Sequence, residues 1–322
     1  MENNTVLVLA DPTDPTLAML EELPAETTIA AGNSVEAFTR AAADATVILT
    51  WSISGELLRQ VFAITPRVRW IHSRSAGLDS VLFPALQASP VTLTNGRGVF
   101  SNSLGEFVIG GALFFAKDFR RMIRSQAAGI WDQFDVEPLE GQTLAIVGYG
   151  DIGRAIAARA RAMGMKVLAL RRRPAESAGD SLVDEVFPPE RKLEMLARAD
   201  YIVASAPLTP ETRGMIGEAE FAVMKPTAVV MNVGRGPVID EAALVGALSA
   251  RRIKGAALDV FDREPLPEGH PFYALDNVLL SPHCVDHTPD WLPQAMRFFL
   301  QNFERFRKGE PLINVVDKQR GY

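Results

Sequence analysis

Cysteine is almost missing from this sequence: Cys284 is the single one in 322 residues. One thiol cannot build an intrachain disulfide framework or a multi-cysteine zinc site, so a reducing cytoplasm and no bound metal are expected. Long apolar runs are also lacking. The run Phe107–Ala116 falls short of the ~18 residues a membrane helix needs. The acidic start, Met1 to Thr5, leads straight into a strand-like run, so no signal peptide is expected. Positive charge is scarce: 33 Lys and Arg against 39 Asp and Glu leave a net charge of −6. A general nucleic-acid binder normally shows a basic excess, so that class is not expected. What remains is a composition ordinary for a globular protein, 48% hydrophobic and 22% charged, and a chain long enough for two cores.

The most informative stretch is Leu144-Ala-Ile-Val-Gly148-Tyr149-Gly150-Asp151-Ile152-Gly153, continuing through Arg154–Met165 to Lys166–Leu170. Leu144–Val147 suits a buried parallel strand, and Ala155, Ile156, Ala158, Arg159 and Met163 fall at helical spacing. Gly148, Gly150 and Gly153 match G-x-G-x-x-G, in which the glycines allow the turn, the approach of a pyrophosphate and the packing of helix on strand. Free N–H groups at the helix N-terminus would hold the phosphates. Three glycines alone are weak evidence; strand, turn, helix and strand in sequence strengthen it. An S-adenosylmethionine enzyme is the alternative user of such a turn.

Before it, strand-like runs at Thr5–Leu9, Ala45–Thr50, Val68–His72 and Val91–Thr94 alternate with helical stretches such as Val35–Ala43 and Glu56–Phe62. This βαβ rhythm predicts a parallel sheet, whose ligands sit beyond the carboxyl ends of the strands. Trp51 follows one such end, and Arg74-Ser75-Ala76-Gly77 follows another as a small-residue loop suited to receiving an anion. Asn95-Gly96-Arg97-Gly98 marks an expected hinge, and Ser103-Leu-Gly-Glu106 fits a capping box opening a long helix through Phe107–Arg124. After it, strands are expected at Tyr201–Ala204, Val229–Val233, Ala256–Val260 and Val278–Ser281, and a helix at Asp290–Arg307. No internal repeat stands out beyond the two similar α/β halves.

Arg235, Glu264 and His283 each follow a separate strand of the second half, so a parallel sheet would carry them to the edge where the glycine turn sits. Taken singly each reads as an ordinary surface residue. Together they form a chemical set: His exchanges a proton near neutral pH, a carboxylate beside it stabilises the imidazolium and orients the ring, and Arg grips a carboxylate with a planar fork. Beside a nicotinamide, that set describes hydride transfer to a 2-oxo acid.

These residues resemble the D-2-hydroxyacid dehydrogenase family over nearly the whole chain. The resemblance rests on Gly148–Gly153, Pro207-Leu-Thr-Pro-Glu-Thr212, Met231–Asp240, Leu258–Leu266 and Ser281-Pro-His283 in fixed order. It implies an α/β fold of two doubly wound parallel-sheet domains. A central Rossmann cofactor domain would span residues 99–287. A flavodoxin-like substrate domain would be formed by residues 1–98 with 288–322 returning to it. It also implies a homodimer built through the cofactor domains and the long helix. Arg235 would bind the substrate carboxylate and carbonyl oxygen, Glu264 would pair with His283, and His283 would be the acid/base. Asp259 would contact the nicotinamide carboxamide, with Tyr149, Asp151, Ile152, Pro207, Thr212 and Val233 completing the cofactor site. Ser75, Ala76 and Gly77 would hold the substrate carboxylate through backbone N–H groups. Trp51 with Ser75–Asp79 resembles the glyoxylate/hydroxypyruvate reductase-like branch; Trp51, Arg74 and Trp291 would set the pocket size. One departure lies next to the chemistry: Asp286 follows His283 where the family commonly has small residues, and either adds negative charge near the nicotinamide or caps the next turn.

An NAD-binding fold usually places Asp or Glu ~20 residues past the glycine motif, on the ribose 2′-hydroxyl. Here the position 18 residues after Gly153 is Arg171, followed by Arg172 and Arg173. An arginine cluster welcomes a 2′-phosphate, so NADP(H) is the expected cofactor, with NAD(H) also possible. Since cellular NADPH is kept reduced, the expected activity is reduction of a small 2-oxo acid. The alternative from another class is a cofactor-sensing interaction protein resembling family co-repressors. A formate dehydrogenase usually has Gln in place of Glu264, and a methyltransferase would leave the Arg, Glu and His trio unexplained.

Overall fold

Short runs of apolar residues, each closed by Gly, Pro or polar residues, become strands, the interior ones buried on both faces, and the stretches between them become crossovers. The computed structural model describes residues 3–52, 55–177 and 179–321; Met1 and Glu2, on which the reading of the chain start partly rests, lie outside them. The strands are β1 Thr5–Leu9, β2 Thr28–Gly32, β3 Ala45–Thr50, β4 Trp70–Ser73, β5 Thr92–Asn95, β6 Thr143–Val147, β7 Lys166–Leu170, β8 Glu185–Phe187, β9 Tyr201–Ala204, β10 Val229–Asn232, β11 Gly255–Leu258 and β12 Val278–Leu280. The α-helices are α1 Gly55–Ala63, α2 Pro84–Ala88, α3 Ser101–Ala116, α4 Phe119–Ala128, α5 Asp151–Ala162, α6 Lys192–Arg198, α7 Glu218–Val223, α8 Glu241–Ser249 and α9 Trp291–Arg307. The chain divides into two compact units, Met1–Val99 with Pro289–Tyr322, and Phe100–Thr288.

The first unit holds a five-stranded parallel sheet in the order β2-β1-β3-β4-β5, the flavodoxin-like order. Alternation along its strands sends Leu7, Leu9, Ile48, Ile71 and Leu93 into one core with Phe38, Leu58, Val61 and Leu86. On the opposite face Trp70 stacks on Phe299 of α9 with ring centres 5.4 Å apart, and Phe306 lies 5.3 Å away. The C-terminal tail then returns to β5: Val316 N donates to Leu93 O at 2.9 Å, beside an antiparallel bridge between Thr94 and Val315.

The second unit holds a seven-stranded parallel sheet in the order β12-β11-β10-β9-β6-β7-β8. Its first six strands in chain order follow the Rossmann arrangement, with the direction of winding reversing between β6 and β9. The core gathers Val147, Leu170, Ile202, Val230 and Leu258 from the strands with Phe221, Leu244 and Leu248 from the covering helices. No helix among the described residues is long and apolar enough to cross a membrane.

Three local expectations are corrected. Val35–Ala43 forms two short 3-10 turns instead of an α-helix; Thr39 Oγ1 donates to the Glu36 carbonyl at 3.0 Å, occupying the acceptor that helical propagation requires. The long helix starts at Ser101, not after Ser103, and Ser103 caps nothing. The hydroxyl of Ser101 goes to Asp151 Oδ2, and that of Ser103 to the Val285 carbonyl. Nor does this helix run through to Arg124: Asp118, in the left-handed region at φ 49°, breaks it and caps α4 through Arg121 N at 3.2 Å.

Candidate active site

The glycine turn joins β6 to α5. Gly148 sits at φ 98°, and a Cβ there would lie 2.5 Å from the Ala206 backbone, so the sharp turn and the neighbouring β9 loop both demand glycine. Among the described residues, a Cβ on Gly150 would meet nothing within 4 Å, and no side-chain hydrogen bond caps α5 at Gly150. Backbone amides over open space, at a helix N-terminus at the point where the winding reverses, fit a dinucleotide pyrophosphate. Tyr149 turns inward; its hydroxyl donates to Asp180 Oδ2 at 2.9 Å, and burial, with that carboxylate beside it, pushes its pKa well above the ordinary tyrosine range. Arg154 pairs with the same Asp180 oxygen, and Leu182 N donates to Asp180 Oδ1 at 3.1 Å. Asp180 thus fastens the loop beyond β7 to the glycine turn, a role that the sequence reading missed.

Arg171, Arg172 and Arg173 follow the end of β7. Arg171 is half-buried; Arg172 and Arg173 are exposed. Pro207 is exposed, and Thr212 closes its own loop, its hydroxyl donating to Pro207 O at 2.6 Å. Val233 is buried and donates its amide to Ala204 O at 3.1 Å.

The ends of β10, β11 and β12 carry the polar set. Asn232, buried at the end of β10, accepts Gly234 N on Oδ1 at 3.1 Å and donates from Nδ2 to Arg235 O at 3.0 Å. Those two bonds lock the backbone around Arg235, whose Nη1 donates to Gly234 O at 2.9 Å. A Cβ on Gly236 would fall 2.0 Å from the carbonyl carbon of Phe261, so this loop presses directly on the one carrying Glu264. Glu264 is held by Phe261 N, which donates to Oε1 at 2.9 Å, while its Oε2 is 2.6 Å from His283 Nδ1. His283 is an exposed side chain on a backbone at φ 52°. Beneath it Asp259, fully buried, accepts Cys284 N at 3.0 Å and Val285 N at 3.4 Å on one oxygen. Burial lifts its carboxyl above the ordinary range, opposed by those amides, the Ser281 hydroxyl and the His283 charge. Asp259 therefore anchors the segment that presents His283. Asp286 Oδ1 is buried without a hydrogen bond among the described residues, 3.7 Å from His287 Nε2, and caps no turn.

In the first unit, Trp51 is buried and its indole N–H donates to Asp14 Oδ2 at 2.8 Å. The Arg74 guanidinium lies 5.3 Å from the Trp51 ring centre and 4.9 Å from that of Trp291. Ser75 O accepts Gly96 N at 3.2 Å, and Ala76 O accepts Asn95 Nδ2 at 2.6 Å. The loop is thus pinned by its carbonyls, and the amides of Ser75, Ala76 and Gly77 make no hydrogen bond among the described residues. An anion would satisfy them.

Residues 109–285 match the D-isomer specific 2-hydroxyacid dehydrogenase family, NAD binding domain. The chain is 32% identical over 318 residues to a D-3-phosphoglycerate dehydrogenase of Methanocaldococcus jannaschii, covering 97% of this chain and 59% of that longer relative. It is 33% identical over 283 residues to a glyoxylate reductase of Thermococcus gammatolerans, covering 84% of this chain and 83% of the other. The fold superposes with a TM-score of 0.85 on the NADPH-dependent glyoxylate/hydroxypyruvate reductase of Sinorhizobium meliloti solved with NADP and sulfate, at 25% identity and full coverage of both chains. The motifs, the two sheet orders and these likenesses agree: the chain belongs to the D-isomer specific 2-hydroxyacid dehydrogenase family of oxidoreductases.

Proposed function

We propose that this protein reduces a small 2-oxo acid of the glyoxylate or hydroxypyruvate kind to the D-2-hydroxy acid, with NADPH preferred over NADH. The observation that carries the reading is the His283–Glu264 pair at 2.6 Å, with the other Glu264 oxygen held by a backbone amide. A carboxylate fixed in that way accepts from Nδ1 and holds a proton there, leaving Nε2 as the atom that gives a proton to the substrate oxygen. The bound nicotinamide supplies the hydride. Arg235 grips the substrate carboxylate and polarises the carbonyl. The arginine run after β7 supports the preference for a 2′-phosphate.

The same reading makes the protein a cytoplasmic homodimer. The lone cysteine suits a reducing compartment. In the second unit α4 and the segment after it expose Ile123, Ile130 and Trp131, the last 90% accessible, an apolar surface of the kind a second subunit covers.

The test is loss of NADPH absorbance on adding a panel of 2-oxo acids, repeated with NADH. Glyoxylate or hydroxypyruvate turnover with NADPH in excess of NADH is expected. His283→Asn should lower kcat by roughly 10²–10⁴-fold with cofactor affinity kept. Turnover undiminished in that variant would remove His283 from its role.

A further inference from the structure

Glu176 lies on the turn that follows the arginine run, and its carboxylate sits between two of the three arginines. Its Oε2 is 2.6 Å from Nη2 of Arg171 and its Oε1 is 2.5 Å from Nη1 of Arg173. Arg171 is steadied further by the buried Ser177 hydroxyl, and Glu176 N donates to Arg173 O at 3.1 Å, which closes the turn. Each carboxylate oxygen therefore serves one guanidinium, the geometry that a phosphate would adopt between the same two side chains. The turn is also adjacent to the glycine motif. Gly148 N and Tyr149 N donate to the carbonyl of Leu170, the last residue of β7, at 3.2 and 3.3 Å.

We propose that Glu176 is a specificity-determining residue, an internal counter-anion that holds the position Arg171 and Arg173 form for the 2′-phosphate of NADPH. It thereby narrows this chain's preference for the phosphorylated cofactor. The inference rests on the NADPH reading above. Two guanidinium groups two residues apart repel each other, and a carboxylate between them relieves that repulsion and aims both forks at one point. A 2′-phosphate brings up to about two negative charges. It must displace Glu176 and break both ion pairs, or bind beside it against a like charge. A 2′-hydroxyl carries no charge and finds a carboxylate acceptor at the same place. Glu176 acts against the phosphorylated ribose and for the unphosphorylated one.

Calorimetric titration of the full chain tests this, with adenosine 2′,5′-bisphosphate and adenosine 5′-monophosphate as probes on the unmodified protein, Glu176→Gln and Glu176→Asp. Glu176 is partly exposed, and an unchanged melting temperature verifies that each variant folds. Glu176→Gln should bind the bisphosphate roughly three- to tenfold tighter and the monophosphate no tighter, with the gain shrinking at high salt. Glu176→Asp, keeping the charge, should stay closer to the unmodified ratio. A bisphosphate preference in the unmodified protein that Glu176→Gln leaves unchanged would overturn the role of Glu176 and leave the NADPH reading standing. No bisphosphate preference in any of the three would overturn both.

Discussion

His72 is fully buried in β4, with Nδ1 2.7 Å from Thr94 Oγ1, the same oxygen that accepts the Trp70 indole N–H at 2.8 Å. Its Nε2 has no hydrogen bond among the described residues, and the rings of Phe298 and Phe299 lie 5.8 and 5.6 Å away. Burial pulls its pKa down to about 3. The folded-state value lies below the unfolded one, so as pH falls the unfolded chain takes up the proton first. The stability this neutral ring contributes is fully present above about pH 6.5 and is lost toward pH 3, by roughly 1.4 kcal/mol per pH unit. Urea unfolding of the first unit should therefore lose about 2 kcal/mol between pH 6.5 and 5. His72→Gln, less stable at pH 7, should show a flatter profile over that range; an equally steep one would exclude His72 as the source. At this scale the chemistry-bearing residues divided by how their partners are encoded. Arg235, Glu264 and His283 each follow an apolar strand at short range and could be read along the chain. Asp14 under Trp51 and Asp180 under Tyr149 meet their partners only through tertiary folding, across 37 and 31 positions, so no local pattern announced them.

Among the elements, the loop after β10 couples the residues of the polar set. Gly236 has its Cβ position inside the Phe261 carbonyl, and Asn232 clips both sides of the same loop. Gly236→Ala should push the Arg235 loop off the Glu264 loop. We expect about 1–3 kcal/mol lost in unfolding free energy and a fall in kcat/KM for the 2-oxo acid larger than any fall in cofactor affinity. Equal losses in both would indicate general disruption instead. The interior strands were legible because each is an apolar run between turn residues. The edge strands β2 and β8 were not read: Thr28-Ile-Ala-Ala-Gly32 is largely exposed and Glu185-Val-Phe187 is three residues long, so neither carries a double-sided burial pattern. The start of α3 departs from the local motif because tertiary partners take its side chains. Ser103 and Glu106 have the spacing of a capping box, but side chains with tertiary partners available do not obey local motifs.

At the scale of the whole molecule, the first unit is assembled from both ends of the chain and depends on its returning tail. Lys318 Nζ donates to the carbonyls of Leu86, Ser89 and Val91 at 3.0, 2.6 and 2.7 Å, and burial lowers its pKa. Removing residues 311–322 deletes these bonds and the bridge to β5. Denaturation should then split into two transitions, the first unit unfolding at lower urea with the second unchanged; a single transition shifted as a block would show that the tail stabilises both. Because α9 lies beyond the second unit in the sequence, the β4 face that carries Trp70 leaves the ribosome long before Phe299 and Phe306 exist to cover it. Roughly 230 residues separate Trp70 from Phe299, which at typical synthesis rates is about 11–46 s of exposure. During that interval the nascent chain presents an uncovered aromatic sheet face, and a chaperone that binds apolar surface has its longest opportunity there.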